Sequence, residues 1–403
     1  MTSAPSQARA TESGPAHNAL AITLAGYAVT LASMATVGVI VPQMAQMTRH
    51  LHATVAELGW AIGLFSLPAA LFSIGLGGLV DRVGAKYAIL LAAFIGLGGD
   101  VAILESHSVL ALQIGMAIAG IANALLIAAV PALLAAALNG REQVRAMSLW
   151  STYGPAGYAL GLLLGAPFAQ GGQWRLAMLA LILVLLAATA LCAIILPNAP
   201  RNARENRISL RALTTLFGDA ALLRISATYA AIAAVSYGSS LAAPGYLARV
   251  YGVSIASSSM AIAAAKIAAT LLGGAGMGWL LARGTHRQAM FAIVCLIGLA
   301  AQFLLYFPSS GMLIATGAMI LWLFVFGAIS ATSFVALAQF NREPARLGLA
   351  FGLIGQISSI GCFFAPSVYF SLDRWPALVV VAAVGLALAV LLLPRGRQHE
   401  YGN

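Results

Sequence analysis

A single lysine stands inside an apolar stretch of this sequence, MAIAAAKIAAT, in which no other residue carries a charge. This residue, Lys266, is one of only two lysines; the other, Lys86, lies in a charged segment. An ammonium group can bind an anion or pair with a carboxylate, and desolvation can leave it as a neutral amine. In the centre of a membrane-spanning helix a charge costs at least about 2.5–3.5 kcal/mol on insertion scales. The sequence therefore predicts that Lys266 faces a bundle interior or a water-filled cavity.

The helical neighbours of Lys266 agree with this orientation. Steps of three, four or seven residues reach Ser259, Ala263, Ala269, Thr270 and Gly273, which are all small or polar. Ile262 is the one bulky exception on this side. The candidates for contact with lipid are Ile267, Leu271 and Leu272.

Three roles for Lys266 follow from the sequence. We predict that it binds an anionic substrate or takes part in coupling. An ion pair with Asp100 or Glu57 is an alternative, because all other acidic residues fall in loops or tails. A purely structural site is the third possibility.

Six other polar or aromatic residues lie well inside apolar segments. Each could form a hydrogen bond with a substrate. Each could equally form a hydrogen bond that links two helices, as polar residues in membranes do. These additional candidates for substrate binding are Tyr27, Asn123, Tyr153, Tyr237, Trp322 and Gln356.

The composition indicates the elements that hold these residues. Of the 403 residues, 61% are hydrophobic and 8% are charged, whereas soluble domains carry about a quarter charged residues. Runs of 18 or more residues with few charges recur, and each can cross about 30 Å of hydrocarbon as a helix. We predict an all-α integral membrane protein with twelve spans, at roughly 19–47, 55–80, 86–104, 109–137, 146–168, 176–196, 221–247, 256–282, 288–307, 311–340, 349–371 and 376–394.

The arginines and lysines of the short loops predict the orientation. Sixteen of the 21 fall in loops and tails on the side of the termini, four fall on the opposite side, and Lys266 is the remaining one. Both termini are therefore expected in the cytosol. The net charge of +10 is explained without a nucleic-acid partner. The three cysteines lie far apart inside apolar runs, so neither a disulfide framework nor a metal site is expected.

An internal repeat divides the chain. At an offset of 201 residues, Arg141-Glu142-Gln143-Val144-Arg145 matches Arg342-Glu343-Pro344-Ala345-Arg346, and Trp174 matches Trp375. We predict an N-terminal six-helix bundle over 1–196, a cytosolic linker over 197–220 and a C-terminal six-helix bundle over 221–403. Two such bundles can rock about a central site, as transporters require.

The turn between spans 2 and 3 reads GGLVDRVGAKY and resembles the signature loop of the major facilitator superfamily (MFS). The matching positions include Gly77, Asp81, Arg82, Gly84 and Lys86, and a second copy keeps Arg283 and Arg287. Gly77 and Gly84 permit close helix approach and a sharp turn. The resemblance implies that these seven residues control gating at the cytosolic ends. An antiporter-like pattern in span 5, Gly154-Pro155 with Gly157, Gly161 and Gly165, is present only loosely.

The resemblance implies an alternating-access secondary transporter in the cytoplasmic (inner) membrane rather than an enzyme. Lys266 favours a small, carboxylate-like organic anion as the substrate, because a fixed cation without a buried acid requires a negative partner. A drug or amphipathic-compound efflux antiporter of the same superfamily is the alternative. We expect a monomer in the lipid bilayer, with a proton as the candidate coupling ion and no cofactor, metal or nucleic acid.

Overall fold

The computed structural model describes residues 19–150, 152–198, 217–283, 287–340, 344–372 and 374–394. In these residues the chain is α-helical and contains no strand, which confirms the predicted fold class. The helices are α1 (Ala19–His50), α2 (Val55–Leu64), α3 (Leu67–Val83), α4 (Ala85–Leu104), α5 (Val109–Ala137), α6 (Gly140–Trp150), α7 (Tyr153–Gly165), α8 (Trp174–Ile195), α9 (Ala220–Tyr251), α10 (Ile255–Ala282), α11 (Arg287–Tyr306), α12 (Met312–Phe340), α13 (Pro344–Ser371) and α14 (Trp375–Leu392). We call α1–α8 the first half and α9–α14 the second half. Residues 199–216, which are most of the predicted linker, and both tails lie outside the described residues.

Eleven segments of the described chain are long and apolar enough to cross a membrane. The predicted fifth span, 146–168, is the exception, because it is divided between α6, α7 and a 3₁₀ turn at Ala166–Phe168. Gly154 and Pro155 lie at the start of α7. Proline has no N–H to donate and is favoured in the first turn of a helix, so it marks a position where a new helix can begin. The prediction of one continuous helix here was wrong.

The predicted second span is also bent. It consists of α2 and α3, which meet at a turn where the Phe65 and Ser66 amides donate to the Ile62 and Gly63 carbonyls. Pro68 follows in the first turn of α3. Both interruptions are therefore followed by a proline in the first turn of the next helix.

Glycines bring α1 and α7 into backbone contact. A methyl group on Gly161 would overlap the Ala35 carbonyl and the Cα of Gly38, and one on Gly38 would overlap the Tyr158 carbonyl. Gly157 and Gly165 also face α1. Small residues at such spacing let helices approach closely in membranes. The span 5 glycines therefore have a packing role on α1.

The two halves contact each other through two groups of helices. From the first half, α2 and α3 pack along α13, and α7 packs on α10. At the first contact, Gly63 lies against the Phe363 carbonyl and the Trp60 ring centroid is 5.5 Å from that of Phe363. At the second contact, α7 meets the helix that carries Lys266.

Candidate functional site

Lys266 lies near the middle of α10 and is half-buried. Its Nζ donates to Ser240 Oγ on α9 over 2.8 Å. The same Nζ lies 4.6 Å from the ring centroid of Tyr158 on α7, which is within the range of a cation–π interaction. The ammonium group therefore joins two helices of the second half to one helix of the first half.

The Tyr158 hydroxyl completes this cluster. It donates to the backbone carbonyl of Ser240 over 2.8 Å, and Tyr158 and Ser240 are only 2% and 1% exposed. In an uninterrupted helix this carbonyl would accept from the amide four residues later, but that residue is Pro244, inside α9. Proline has no N–H to donate, so the tyrosine satisfies a carbonyl that the helix leaves free.

Neither acid considered as an ion-pair partner contacts Lys266. Asp100 lies on α4, where its Oδ1 accepts from Thr36 Oγ1 over 2.9 Å. Glu57 closes the start of α2, where its Oε2 accepts from the Thr54 amide over 2.7 Å. In the described structure the partners of Lys266 are neutral.

The side of α10 that carries Lys266 is largely as predicted. Ser259, Ala263 and Ala269 are buried. Leu271 and Leu272 are exposed, as expected for lipid-facing residues. Ile267 was wrongly assigned to the lipid side, because it is half-buried and packs against the core. The adjacent helices cover more of α10 than the sequence pattern indicates.

Three of the other candidates make contacts away from Lys266. The Tyr27 hydroxyl is 2.6 Å from Thr152 Oγ1. The Tyr153 ring stacks on Trp150 with centroids 5.0 Å apart. On α13, Gln356 Nε2 lies 3.5 Å from the Leu71 carbonyl on α3, so this contact crosses between the halves.

The remaining three candidates have a buried polar atom without a hydrogen-bond partner. These atoms are Asn123 Oδ1 on α5, Tyr237 Oη on α9 and Trp322 Nε1 on α12. Trp322 is fully buried and packs beside Gly298. The structure does not bring these residues into the hydrogen-bonded cluster of Lys266, Ser240 and Tyr158.

The loop proposed for gating contains the expected sharp turn. Gly84 has a φ of 91° between α3 and α4, a conformation that favours glycine. Among the described residues, none packs closely against Gly77, so the expected close approach is not seen there. Arg82 is exposed, Lys86 is half-buried, and the Arg283 guanidinium lies 3.6 Å from the Trp279 ring centroid. The side chains of Asp81 and Arg287 lie outside the described part of the structure.

Sequence reasoning missed Tyr158 and Ser240. Tyr158 is 108 residues from Lys266 along the chain, and no sequence pattern connects them. Pro244 was the available signal, since a proline inside a span indicates that the carbonyl four residues earlier needs another donor. The identity of that donor depends on which helix packs beside α9.

The sequence model of the Major Facilitator Superfamily matches residues 23–366. The arabinose-proton symporter of Escherichia coli (strain K12) is 27% identical over 165 residues, which cover 41% of this chain and 35% of that protein. The quinolone resistance protein NorB of Staphylococcus aureus (strain bovine RF122 / ET3-1) is 26% identical over 121 residues, covering 30% and 26% respectively. The chain thus matches about a third or less of the length of these relatives.

Solved structures of similar fold cover nearly the whole chain. The nucleoside transporter NupG superposes with a TM-score of 0.71 at 13% identity, covering 93% of this chain and 98% of NupG. A bacterial homologue of the human lysosomal transporter Spinster, in an inward-facing and occupied conformation, has a TM-score of 0.71 at 16% identity and covers 93% of each chain. At these identities the likeness concerns the fold alone.

Proposed function

Because this chain belongs to the Major Facilitator Superfamily and is a multi-pass membrane transporter of that family, we propose that it moves a small organic anion by alternating access. Lys266 supplies the positive charge that binds the anion, which is a carboxylate or a group of similar chemistry. The proposal rests on one observation: the ammonium group contacts a hydroxyl and an aromatic ring, with no described carboxylate beside it.

The contacts of Lys266 favour an exchangeable anion. A hydroxyl and a ring compensate only part of the desolvation of an ammonium group, so a carboxylate would be a stronger partner. Ser240 Oγ could turn to donate to the same carboxylate, while the Tyr158 hydroxyl stays on the Ser240 carbonyl. The site can therefore gain an anion without leaving a protein acid unpaired.

Removing the ammonium group tests this function. Lys266→Ala should weaken anion binding by about 2–5 kcal/mol, or at least about 30-fold. Counterflow of labelled succinate and lactate in proteoliposomes measures the loss, and Lys266→Arg should retain part of the signal with altered selectivity. Arg374→Ala, which removes one exposed cation elsewhere, is the matched control.

The stability of Lys266→Ala separates the remaining roles. If the charge is kept for substrate binding, the variant should be folded and more thermostable, because a cation at membrane depth without a described carboxylate partner has been removed. A destabilised variant that is rescued by neutralising Asp100 or Glu57 would indicate an ion pair in another state. Full counterflow of both anions by Lys266→Ala would refute the proposed function.

Efflux of an amphipathic drug is the second candidate, because part of the chain is similar to NorB, whose name states quinolone resistance. The same counterflow assay distinguishes the two functions. Inhibition by unlabelled carboxylates, but not by a fluoroquinolone, arabinose or uridine, supports anion transport. Inhibition by the fluoroquinolone alone supports efflux.

We extend the proposal to gating by the loop between α3 and α4. Asp81, Arg82 and Lys86, together with Arg283 and Arg287 of the second copy, would stabilise closure of the cytosolic ends. Asp81→Asn should then slow transport and shift the population toward inward-facing states. Accessibility of single cysteines from each side measures the shift, and unchanged accessibility with unchanged kinetics would contradict this role.

The proposed topology is two six-helix bundles, over 1–196 and 221–403, in the cytoplasmic membrane. The distribution of arginines and lysines supports cytosolic termini, and we propose that the monomer is the transporting unit. A protease site added at the C-terminus should be cut in inside-out vesicles only. Cleavage in right-side-out vesicles instead would reverse the orientation.

A further inference from the structure

A second ionisable group is buried in the first half and has no part in the Lys266 cluster. Asp100, on α4, is 1% exposed. Its Oδ1 accepts from Thr36 on α1, whereas its Oδ2 is buried without a hydrogen-bond partner. An ionised carboxylate in such a place costs several kcal/mol unless a cation or further donors compensate it. A protonated carboxyl leaves only one O–H without a hydrogen-bond partner, and the desolvation penalty of that group is about 1–3 kcal/mol.

The charged groups of the neighbouring helices do not compensate Asp100. The helices packed on α4 are α1, α3, α5 and α8, and α5 carries no ionisable residue. On α8, the Arg175 guanidinium donates to the Leu104 and Ser106 carbonyls and lies over the Trp174 ring, and Cys192 Sγ donates to the Ala25 carbonyl. On α1, Tyr27 bonds Thr152, Arg49 donates to the Ala45 carbonyl, and His50 contacts Arg175. The remaining ionisable residues lie near the α3–α4 turn, at the opposite end of α4 from Asp100, and are Asp81, Arg82, Lys86 and Tyr87.

The second half shows that an ionisable group is not needed to link the first and third spans of a half by a hydrogen bond. There, Ser239 on α9 donates to Gln302 Oε1 on α11 over 2.7 Å, and Gln302 is fully buried. These two helices are the first and third spans of their half, as α1 and α4 are of theirs. A neutral amide thus makes the bond that the Asp100 carboxyl makes with Thr36. What a carboxyl adds is the ability to bind and release a proton.

We propose that Asp100 is the residue that binds the coupling proton and that this conformation is the proton-loaded one. The proton is taken from water on one side of the membrane onto the carboxylate and is released from the carboxyl to water on the other side. The carboxyl is neutral while it is buried away from water. Its ionisation requires a conformation in which water reaches this part of α4. This inference rests on the proposed anion transport in one respect only: the accumulation assay below uses anions as the transported substrate.

Contiguous contacts connect Asp100 to the anion site. Thr36 lies two residues before Gly38 on α1, and Gly38 packs directly against the Tyr158 carbonyl. The Tyr158 ring in turn lies beneath Lys266. A displacement of α1 that exposes Asp100 would therefore also move the ring that faces the ammonium group, so that proton and anion affinities change together.

Asp100→Asn tests the coupling, because the amide oxygen can still accept from Thr36 while no proton can bind. With one proton per anion, a gradient of about two pH units can drive about 100-fold accumulation. The variant should lose this gradient-driven accumulation of labelled succinate and lactate but keep their counterflow, which requires no net proton movement. Lys266→Ala should lose both, so the two proposals fail separately. Gradient-driven accumulation by Asp100→Asn equal to that of the unsubstituted protein would overturn the inference.

A spectroscopic measurement tests proton binding without a substrate. Infrared difference spectra of the reconstituted protein, titrated with pH, should contain the carbonyl band of a protonated carboxylic acid near neutral pH. The band should be missing in Asp100→Asn and present in Glu57→Gln, which serves as the control. An unchanged band in Asp100→Asn would show that Asp100 is ionised and would also overturn the inference. If the role of Asp100 is only structural, through its hydrogen bond to Thr36, then Thr36→Val should impair transport while Asp100→Asn leaves proton coupling unchanged. That pair of results would contradict the proposal.

Discussion

The surroundings of Lys266 and Asp100 differ in two respects. Lys266 lies where α7 of the first half meets α9 and α10 of the second, and it is half-buried. Asp100 lies within the first half and is 1% exposed, and its one hydrogen bond to a described residue is with the Thr36 hydroxyl of α1. One ionisable group lies between the two halves, and the other is enclosed within one of them.

This difference teaches how a membrane protein can hold two ionisable groups without pairing them. A cation between the halves can be reached by water or by an anion when they separate, so it can stay charged. A carboxyl inside one half has no such access in this conformation, and burial favours its neutral form. Under the proposed alternating access, the position of each group relative to the surface between the halves therefore determines which chemistry it can perform.

The largest expected effect is a difference in accessibility between the two positions. In a protein whose Cys192, Cys295 and Cys362 have been replaced by serine or alanine, Lys266→Cys should react with a charged thiol reagent about tenfold or more faster than Asp100→Cys, since reactivity requires access to the thiol. Mass spectrometry over time measures both rates. Equal rates would remove the contrast between an accessible and a sealed site.

The next effect concerns the contact that lies between the sites. Gly161→Leu should lower the free energy of unfolding by about 1–3 kcal/mol or more, because the side chain overlaps the Ala35 carbonyl on α1. Thermal unfolding in detergent measures the change. Gly154→Leu is the matched control on the same helix, since no described atom lies within 4 Å of the position its Cβ would take. Similar losses in both variants would mean that the α1–α7 contact does not hold the sites together.

The smallest effect is expected for Tyr158→Phe, which keeps the ring beneath Lys266 but removes the bond to the Ser240 carbonyl. The loss of one hydrogen bond should lower stability by about 0.5–1.5 kcal/mol, and succinate counterflow should remain. A loss of counterflow as large as that of Lys266→Ala would instead place the hydroxyl in direct contact with the anion.

The sequence predicted the elements of the fold well, because the physics of a membrane span is local. A span needs enough consecutive apolar residues. Eleven of the twelve predicted spans appear as segments long and apolar enough to cross a membrane, and the second of these is divided between α2 and α3. The error at 146–168 was also local, since the effect of Gly154 and Pro155 on helix continuity was underestimated. The loop motif around Gly84 indicated the family, which the match over residues 23–366 confirms.

The candidate site was only partly predictable. The sequence by itself determined that Lys266 could not face lipid, because the cost of a charge in hydrocarbon depends on the residue and its depth alone. The sequence also contained a signal that was missed, because Pro244 leaves the Ser240 carbonyl without its helical donor. The tertiary structure decided that Tyr158 supplies this donor and its ring to Lys266, and that Asp100 meets Thr36 instead of Lys266. Such pairings depend on which helix faces lie together, and the glycine contact of α1 with α7 fixes this only once the helices have packed.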